Sequence, residues 1–167
     1  MKKRIFFILF ATVLSLMLSV PTFATDGIND PCVMDSCHII YLDDGSYITT
    51  ELREEISDVS DSVLRSVSLT KKGSKTVTYY DNNGNISWKY ILTGEFSVVE
   101  GMSAICTNST YTENIYDNDW SFSNGSATKS VNVAYGVGTF KKKLLFITTK
   151  TVNIDISITC DANGNLS

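Results

Sequence analysis

From Ser74 onward apolar residues recur at alternate positions, the period of β-strands that bury one face. The longest run is Ile86, Trp88, Tyr90, Leu92, Phe96 and Val98, with Gly94 the single gap. It predicts one continuous apolar wall, with a bulge or bend at Gly94. Residues 76–80 lead into it across Asp81-Asn82-Asn83-Gly84-Asn85, whose Asn-Gly pair is a strong hairpin signal. Residues 104–116 read as a further strand or pair of strands, and 120–123 as another that ends at a second Asn-Gly turn, Asn124-Gly125. Val131, Val133, Tyr135 and Val137 alternate again. Lys141, Lys142 and Lys143 interrupt, and Leu144-Leu145-Phe146-Ile147 resumes the apolar pattern. Val152, Ile154, Ile156, Ile158 and Cys160 form the last strand, before Asp161-Ala162-Asn163-Gly164.

The pattern before Ser74 is more mixed. Residues 25–35 are polar and turn-rich. His38-Ile39-Ile40-Tyr41-Leu42 reads as a strand, Asp43-Asp44-Gly45 as a tight reversal and 46–50 as the return. Leu52, Ile56, Val59, Val63 and Val67 then fall on one helical face, with Glu51, Glu54 and Glu55 at the start and Arg65 near the end, as a helix dipole favours. Ser57, Asp58, Ser60, Asp61 and Ser62 are indifferent helix formers, so a short helix or a linker docked on the domain is expected. At least seven strands with frequent turns predict an all-β fold, an antiparallel immunoglobulin-like β-sandwich. The expected organisation is a leader over 1–24, an N-terminal extension over 25–70 (hairpin plus short helix or linker) and a β-sandwich domain over 71–167.

The leader is the clearest functional signal. Lys2, Lys3 and Arg4 precede an apolar run over residues 5–20, and Pro21-Thr22-Phe23-Ala24 places a small residue for cleavage before Thr25. The run is short of the about 20 residues a span needs and has no stop-transfer flank, so it reads as a secretory signal peptide. Removing it leaves 143 of the 167 residues, enough for one domain burying roughly 70% of its unfolded surface. There is no lipobox cysteine at the cleavage point and no Leu-Pro-x-Thr-Gly sorting signal, which predicts release from the cell or loose wall association.

Across the chain 14 basic residues face 18 acidic ones, for a net charge of −4, and three of the basic ones lie in the leader, leaving the mature part at about −7. That excludes the basic footprint of nucleic-acid binders and argues against anionic membrane surfaces. A hydrophobic content of 43% with only two prolines argues against disorder. Four cysteines in an exported chain read as two disulfides with three possible pairings. Cys32–Cys37 is favoured as a local clip and Cys106–Cys160 as the long-range bridge, worth about 2 and 4 kcal/mol by loop entropy. The rival, a metal site of Cys32, Cys37 and His38, lacks the four ligands and tighter spacing of structural zinc.

Catalytic signals are missing. With His38 the only histidine, every two-histidine metal scheme is excluded, and no Gly-x-Ser-x-Gly elbow presents a nucleophile. Asp81, Asn83 and Asn85 alternate as calcium ligands can, but the EF-hand positions for Gly and Glu hold Ile86 and Leu92, so a plain turn is expected. Asp43 and Asp44 make an equally weak metal pair. Asp81-Asn82-Asn83-Gly84-Asn85 and Asp161-Ala162-Asn163-Gly164-Asn165 read as one kind of turn used twice. Trp88, Trp120 and the tyrosines could stack on sugars, although Trp88 lies on the core face of its strand. Lys71, Lys72 and Lys75, and Lys141 to Lys143, fit edge strands protected against aggregation.

Leu42-Asp43-Asp44-Gly45-Ser46-Tyr47, Gly73-Ser74-Lys75-Thr76-Val77 leading into Tyr80, Trp88-Lys89, Gly94-x-Phe96, Cys106, Trp120 and the closing Cys160-Asp161-Ala162-Asn163-Gly164-Asn165-Leu166-Ser167 run from about Tyr41 to the end. On these features the chain resembles an uncharacterised family of small secreted β-rich proteins, a domain of unknown function from Gram-positive bacteria. The resemblance implies export and a β-rich fold; it carries no activity, cofactor or site residue. The expectation is a secreted or envelope-associated, non-enzymatic β-sandwich acting by surface binding, with no cofactor and no membrane span in the mature chain. A cell-wall glycan or another surface protein is the candidate partner. The alternative is a secreted carboxylate-dependent hydrolase acting on glycans, since 18 acidic residues can supply an acid–base pair.

Overall fold

Alternation over long stretches and Gly-rich reversals give this chain strands joined in sequence. The structure, a computed structural model, describes residues 37–55 and 68–167, all within one compact unit spanning residues 31–167. Among the described residues the elements are β1 (Cys37–Tyr41), β2 (Tyr47–Glu55), β3 (Ser68–Tyr80), β4 (Ile86–Val99), β5 (Ser103–Ile115), β6 (Trp120–Ser130), β7 (Val133–Leu144) and β8 (Ile147–Thr159). All pairings are antiparallel. The sheets run β1-β2-β3-β4-β5 and β6-β7-β8. The expected all-β, two-sheet antiparallel sandwich is what forms. Every neighbour in a sheet is also the neighbour in sequence, so the likeness to the immunoglobulin arrangement lies in the layering and the connectivity is a meander.

The core lies where β4 faces the second sheet. Trp88, Tyr90, Leu92, Phe96 and Val98 are all buried on one face of β4, as alternation predicts, with Val77, Tyr79, Trp120, Ala134, Phe140, Ile154 and Ile158 packed around them. Trp88 stacks on Phe140 with centroids 3.8 Å apart and planes 4° from parallel, and also meets Tyr79 and Trp120. The irregularity expected at Gly94 falls one step on, where the β4–β5 register shifts between Glu95 and Phe96. Thr107, the extra residue of β5, donates its hydroxyl to the Glu95 carbonyl at 3.1 Å.

The repeated turn is built as its sequence indicates. Asp81 Oδ1 accepts from the N–H groups of Asn83 and Asn85 at 2.9 and 2.8 Å, and Asp161 Oδ1 accepts from Asn163 and Asn165, both at 2.8 Å. Each Asp N–H bonds the carbonyl four residues on, and Gly84 and Gly164 take φ of 81° and 84°. The reversal at residues 42–46 repeats this backbone, with Leu42 N–H on Ser46 O at 2.9 Å and Gly45 at φ 81°. Leu42 stands where the other two turns have the capping aspartate. Asp44, at the third position, is left to bond elsewhere.

Several expectations change. The helix-or-linker reading began at Glu51, but residues through Glu55 belong to β2; residues 56–67 lie outside the described residues. Lys71 pairs with Glu54, and Lys72 meets Glu55 at 2.9 Å, so pairing with β3 overrides a weak helical stripe. The hairpin expected as an extension over 25–70 forms strands β1 and β2 of the five-stranded sheet, and the expected boundary at residue 71 falls inside β3. Asn124-Gly125 is a register shift within β6 between Ser123 and Ser126, with Asn124 at φ 56°, because β6 continues to Ser130 and turns only at Val131-Asn132. Lys71, Lys72 and Lys75 are on β3, and Lys141 to Lys143 on β7, both interior strands, so neither group guards an edge.

Cys106 and Cys160 are buried free thiols, which corrects the expected long-range bridge. They still approach one place. The Cys106 N–H donates to Val131 O at 2.7 Å and the Cys160 N–H to Asn132 O at 3.0 Å. Each thiol instead finds a local carbonyl, Asn108 O at 3.2 Å and Asp161 O at 3.6 Å, and burial pushes both thiols up from their ordinary titration. Cys37 is disulfide-bonded; Cys32 and the leader lie outside the described residues.

Candidate functional site

Three chain reversals meet at one end of the sandwich: the 42–46 turn, the 81–85 turn and the β7–β8 hairpin. They enclose two adjoining shallow hollows of about 420 and 240 Å³. The first is lined by Leu42, Asp43, Asp44, Thr149 and Lys150, the second by Ser46, Tyr79, Asp81, Asn82 and Lys142 together with Asp44 and Lys150.

Lys150, on the inward face of β8, organises this end. Its Nζ donates to Asp44 Oδ2 at 2.7 Å, Tyr79 Oη at 2.8 Å and Ser46 Oγ at 3.0 Å, and stands 5.1 Å from the Tyr79 ring centroid. Tyr79 Oη donates to Ser46 Oγ at 2.8 Å, and Ser46 Oγ donates in turn to Asp44 Oδ1. Hydrogen bonds from Lys150 and Ser46 hold the Asp44 carboxyl far below the usual carboxylate range. Burial alone would lower the Lys150 ammonium, but the bonds to Asp44 and Tyr79 outweigh it and raise it.

This electrostatic state decides what the cluster can do. A serine–lysine nucleophile needs a neutral lysine to take the hydroxyl proton, and its lysine is therefore depressed in pKa. Here the lysine is held charged and Ser46 is 3% exposed. A glycosidase pair needs one carboxyl kept protonated. Asp44 is held ionised, and so is Asp81: slight burial works to raise its carboxyl, but the donors of Asn85 and Asn83 outweigh it. The cluster is a polar latch that ties the first sheet to β8.

Replacing Lys150 with Met should lower stability by about 1–2 kcal/mol, a charged hydrogen-bond network discounted for partial exposure. The linkage has a defined sign. Asp44, Asp81 and Asp161 titrate below their unfolded values, so their contribution is complete above about pH 4–5 and is lost as pH falls below that. Lys150 is raised, so its share persists to about pH 10.5 and is lost above it. Thermal melts should be flat from about pH 5 to about pH 8, above which the raised Cys106 and Cys160 thiols favour the unfolded chain, and Asp44→Asn should flatten the acid limb.

The remaining sequence candidates do not assemble. His38 is an exposed residue of β1 paired with Thr50. Among the described residues no group of three or more His, Cys, Asp or Glu could hold a metal ion. Trp88 and Trp120 are buried, which removes them as a sugar platform. Tyr47 and Tyr80 stack at 4.5 Å on the other side of the first sheet from Tyr79, with the exposed Tyr41 beside Tyr47.

The feature that sequence reasoning missed is the hairpin end itself. Leu144, Leu145, Phe146 and Ile147 are 65, 86, 99 and 71% exposed. Leu144 pairs with Ile147, so Leu145 and Phe146 form a two-residue turn. The signal was available: two alternating strands must be joined by a reversal, and no Gly, Asn or Pro lies between Lys141 and Lys150 to make it. Among the described residues no helix is long and apolar enough to cross a membrane. No protein-family profile, no curated protein and no solved structure matches this chain.

Proposed function

We propose that this protein is a non-enzymatic, exported or envelope-associated β-sandwich that works by binding a surface through the end carrying the β7–β8 hairpin. One observation carries the reading: four consecutive large apolar side chains project from that end and leave most of their surface in water. Isolated exposed apolar residues are ordinary, whereas a contiguous group marks an interaction site. The signal-like leader supports an extracellular location, and the ionised Asp44 and Asp81 speak against acid–base hydrolysis at the neighbouring hollows.

The test uses purified protein lacking residues 1–24, mixed separately with cell-wall material, membranes and a glycan panel, alongside Phe146→Ser. Sedimentation with an envelope fraction, weakened by Phe146→Ser at unchanged melting temperature, is expected. Hydrolysis of a glycan or peptide that one side-chain change abolishes would reject the reading, as would sedimentation with none of these fractions.

A further inference from the structure

We infer that the β7–β8 hairpin end is a membrane-interface anchor, whose apolar tip enters the boundary between headgroups and acyl chains of a lipid bilayer. The inference rests on the surface-binding reading and names its partner.

Shape and area come first. The apolar group is confined to one hairpin end, Leu144 and Ile147 flanking the Leu145-Phe146 turn. Four side chains offer a few hundred Å² at most, against about 800 Å² per partner in a stable protein interface or dimer. A bilayer sets no such threshold, because each side chain that leaves water adds its own increment. The backbone agrees. Leu145 adopts φ 57°, a region that costs a bulky residue and that the other tight turns give to Gly45, Gly84 and Gly164. Among the described residues the one other exposed apolar side chain at positive φ is Val131, a single residue at another turn. At the hairpin end the chain carries both a strained backbone and apolar exposure that an Asn-Gly pair would remove.

The charges next to the tip are arranged for headgroups. Lys142 and Lys150 face each other across β7 and β8. They are neutralised by Asp117 at 3.6 Å and Asp44 at 2.7 Å on the inner side. Lys141 and Lys143 alternate onto the outer face and make no ion pair among the described residues. The Asp119 carbonyl accepts the Lys143 N–H at 2.9 Å, which fixes the backbone at the base of the tip. Lys143 stands about 8 Å and Lys141 about 15 Å along the strand from the apex, and their flexible stems can reach phosphates while the tip is inserted. The net negative charge of the chain does not oppose this, because unpaired charges farther than about 8–10 Å away are screened at physiological salt.

The experiment is flotation of the protein lacking residues 1–24 with vesicles of phosphatidylcholine alone, and with a third of the lipid replaced by phosphatidylglycerol. Binding to both is expected, tighter to the second. Leu145→Ser and Phe146→Ser should each weaken it about tenfold. Lys141→Gln with Lys143→Gln should cost about fivefold per lysine on the anionic vesicles only. A Phe146→Trp variant should be quenched by lipids brominated on the acyl chain. Lys143, Leu145 and Phe146 are exposed and Lys141 is half-buried, so unchanged melting temperatures serve as the folding control. Vesicle binding that ignores the serine variants, or that follows the lysines alone, overturns the inference. So does absence of vesicle binding while the tip mediates self-association or binding to wall material. Where wall material is bound instead, the surface-binding reading survives; it fails if no envelope component is bound or if side-chain-dependent hydrolysis appears.

Discussion

Trp88→Ala should destabilise the domain by about 3–5 kcal/mol, a large share of the roughly 5–15 kcal/mol that holds a domain of this size. The indole is fully buried and its loss would leave a void bounded by Phe140, Tyr79 and Trp120, aromatic side chains from β7, β3 and β6. Rings of that size cannot collapse into the space without leaving their rotamers. Equilibrium denaturation in urea reads the effect as a lowered midpoint. Trp88→Phe separates packing from polarity. The buried Trp88 indole N–H has no hydrogen-bond partner among the described residues, so phenylalanine removes an unsatisfied donor together with part of the ring. Its cost should be about 1–2 kcal/mol, below what the lost volume alone implies. If Trp88→Phe were as damaging as Trp88→Ala, the aromatic stack would not be what joins the sheets.

Gly136→Val should cost about 3 kcal/mol, from overpacking together with a broken buried hydrogen bond. Tyr90 crosses from β4 to β7 and lies against Gly136 and Gly138, where its hydroxyl donates to Val137 O at 3.2 Å and Ser126 O at 3.4 Å. Burial pushes that hydroxyl up to about 12. A Cβ on Gly136 would stand 2.8 Å from Tyr90 Oη and 3.0 Å from Leu92 Cδ1, so the ring must leave its slot. Near-UV circular dichroism should lose tyrosine signal, with a lower urea midpoint. Val137→Ala, next door but pointing outward, should cost well under 1 kcal/mol. Equal costs for the two variants would refute the slot.

The parts of this protein that could be read from residue order alone are those set by neighbours a few positions apart. Side chains alternate across a strand whatever it pairs with, so the buried face of β4 from Trp88 to Val98 was legible. The Asp-x-Asn-Gly-Asn turns were legible because the carboxylate bonds N–H groups two and four residues ahead. The latch was not, since Lys150 meets Asp44 across 106 positions, and nothing near either residue names the other. Glu54 and Glu55 suit a helix start as well as a strand, until Lys71 and Lys72 on β3 select the strand. Cys106 and Cys160 suggested a bridge by compartment and count, while their bonding depended on the carbonyls that folding put beside each thiol. Leu144-Leu145-Phe146-Ile147 reads like any apolar strand, because hydrophobicity states that a side chain prefers to leave water and not where the fold leaves it. Placement at a hairpin end, beyond the reach of the core, turned that segment from apparent interior into the most exposed apolar surface among the described residues.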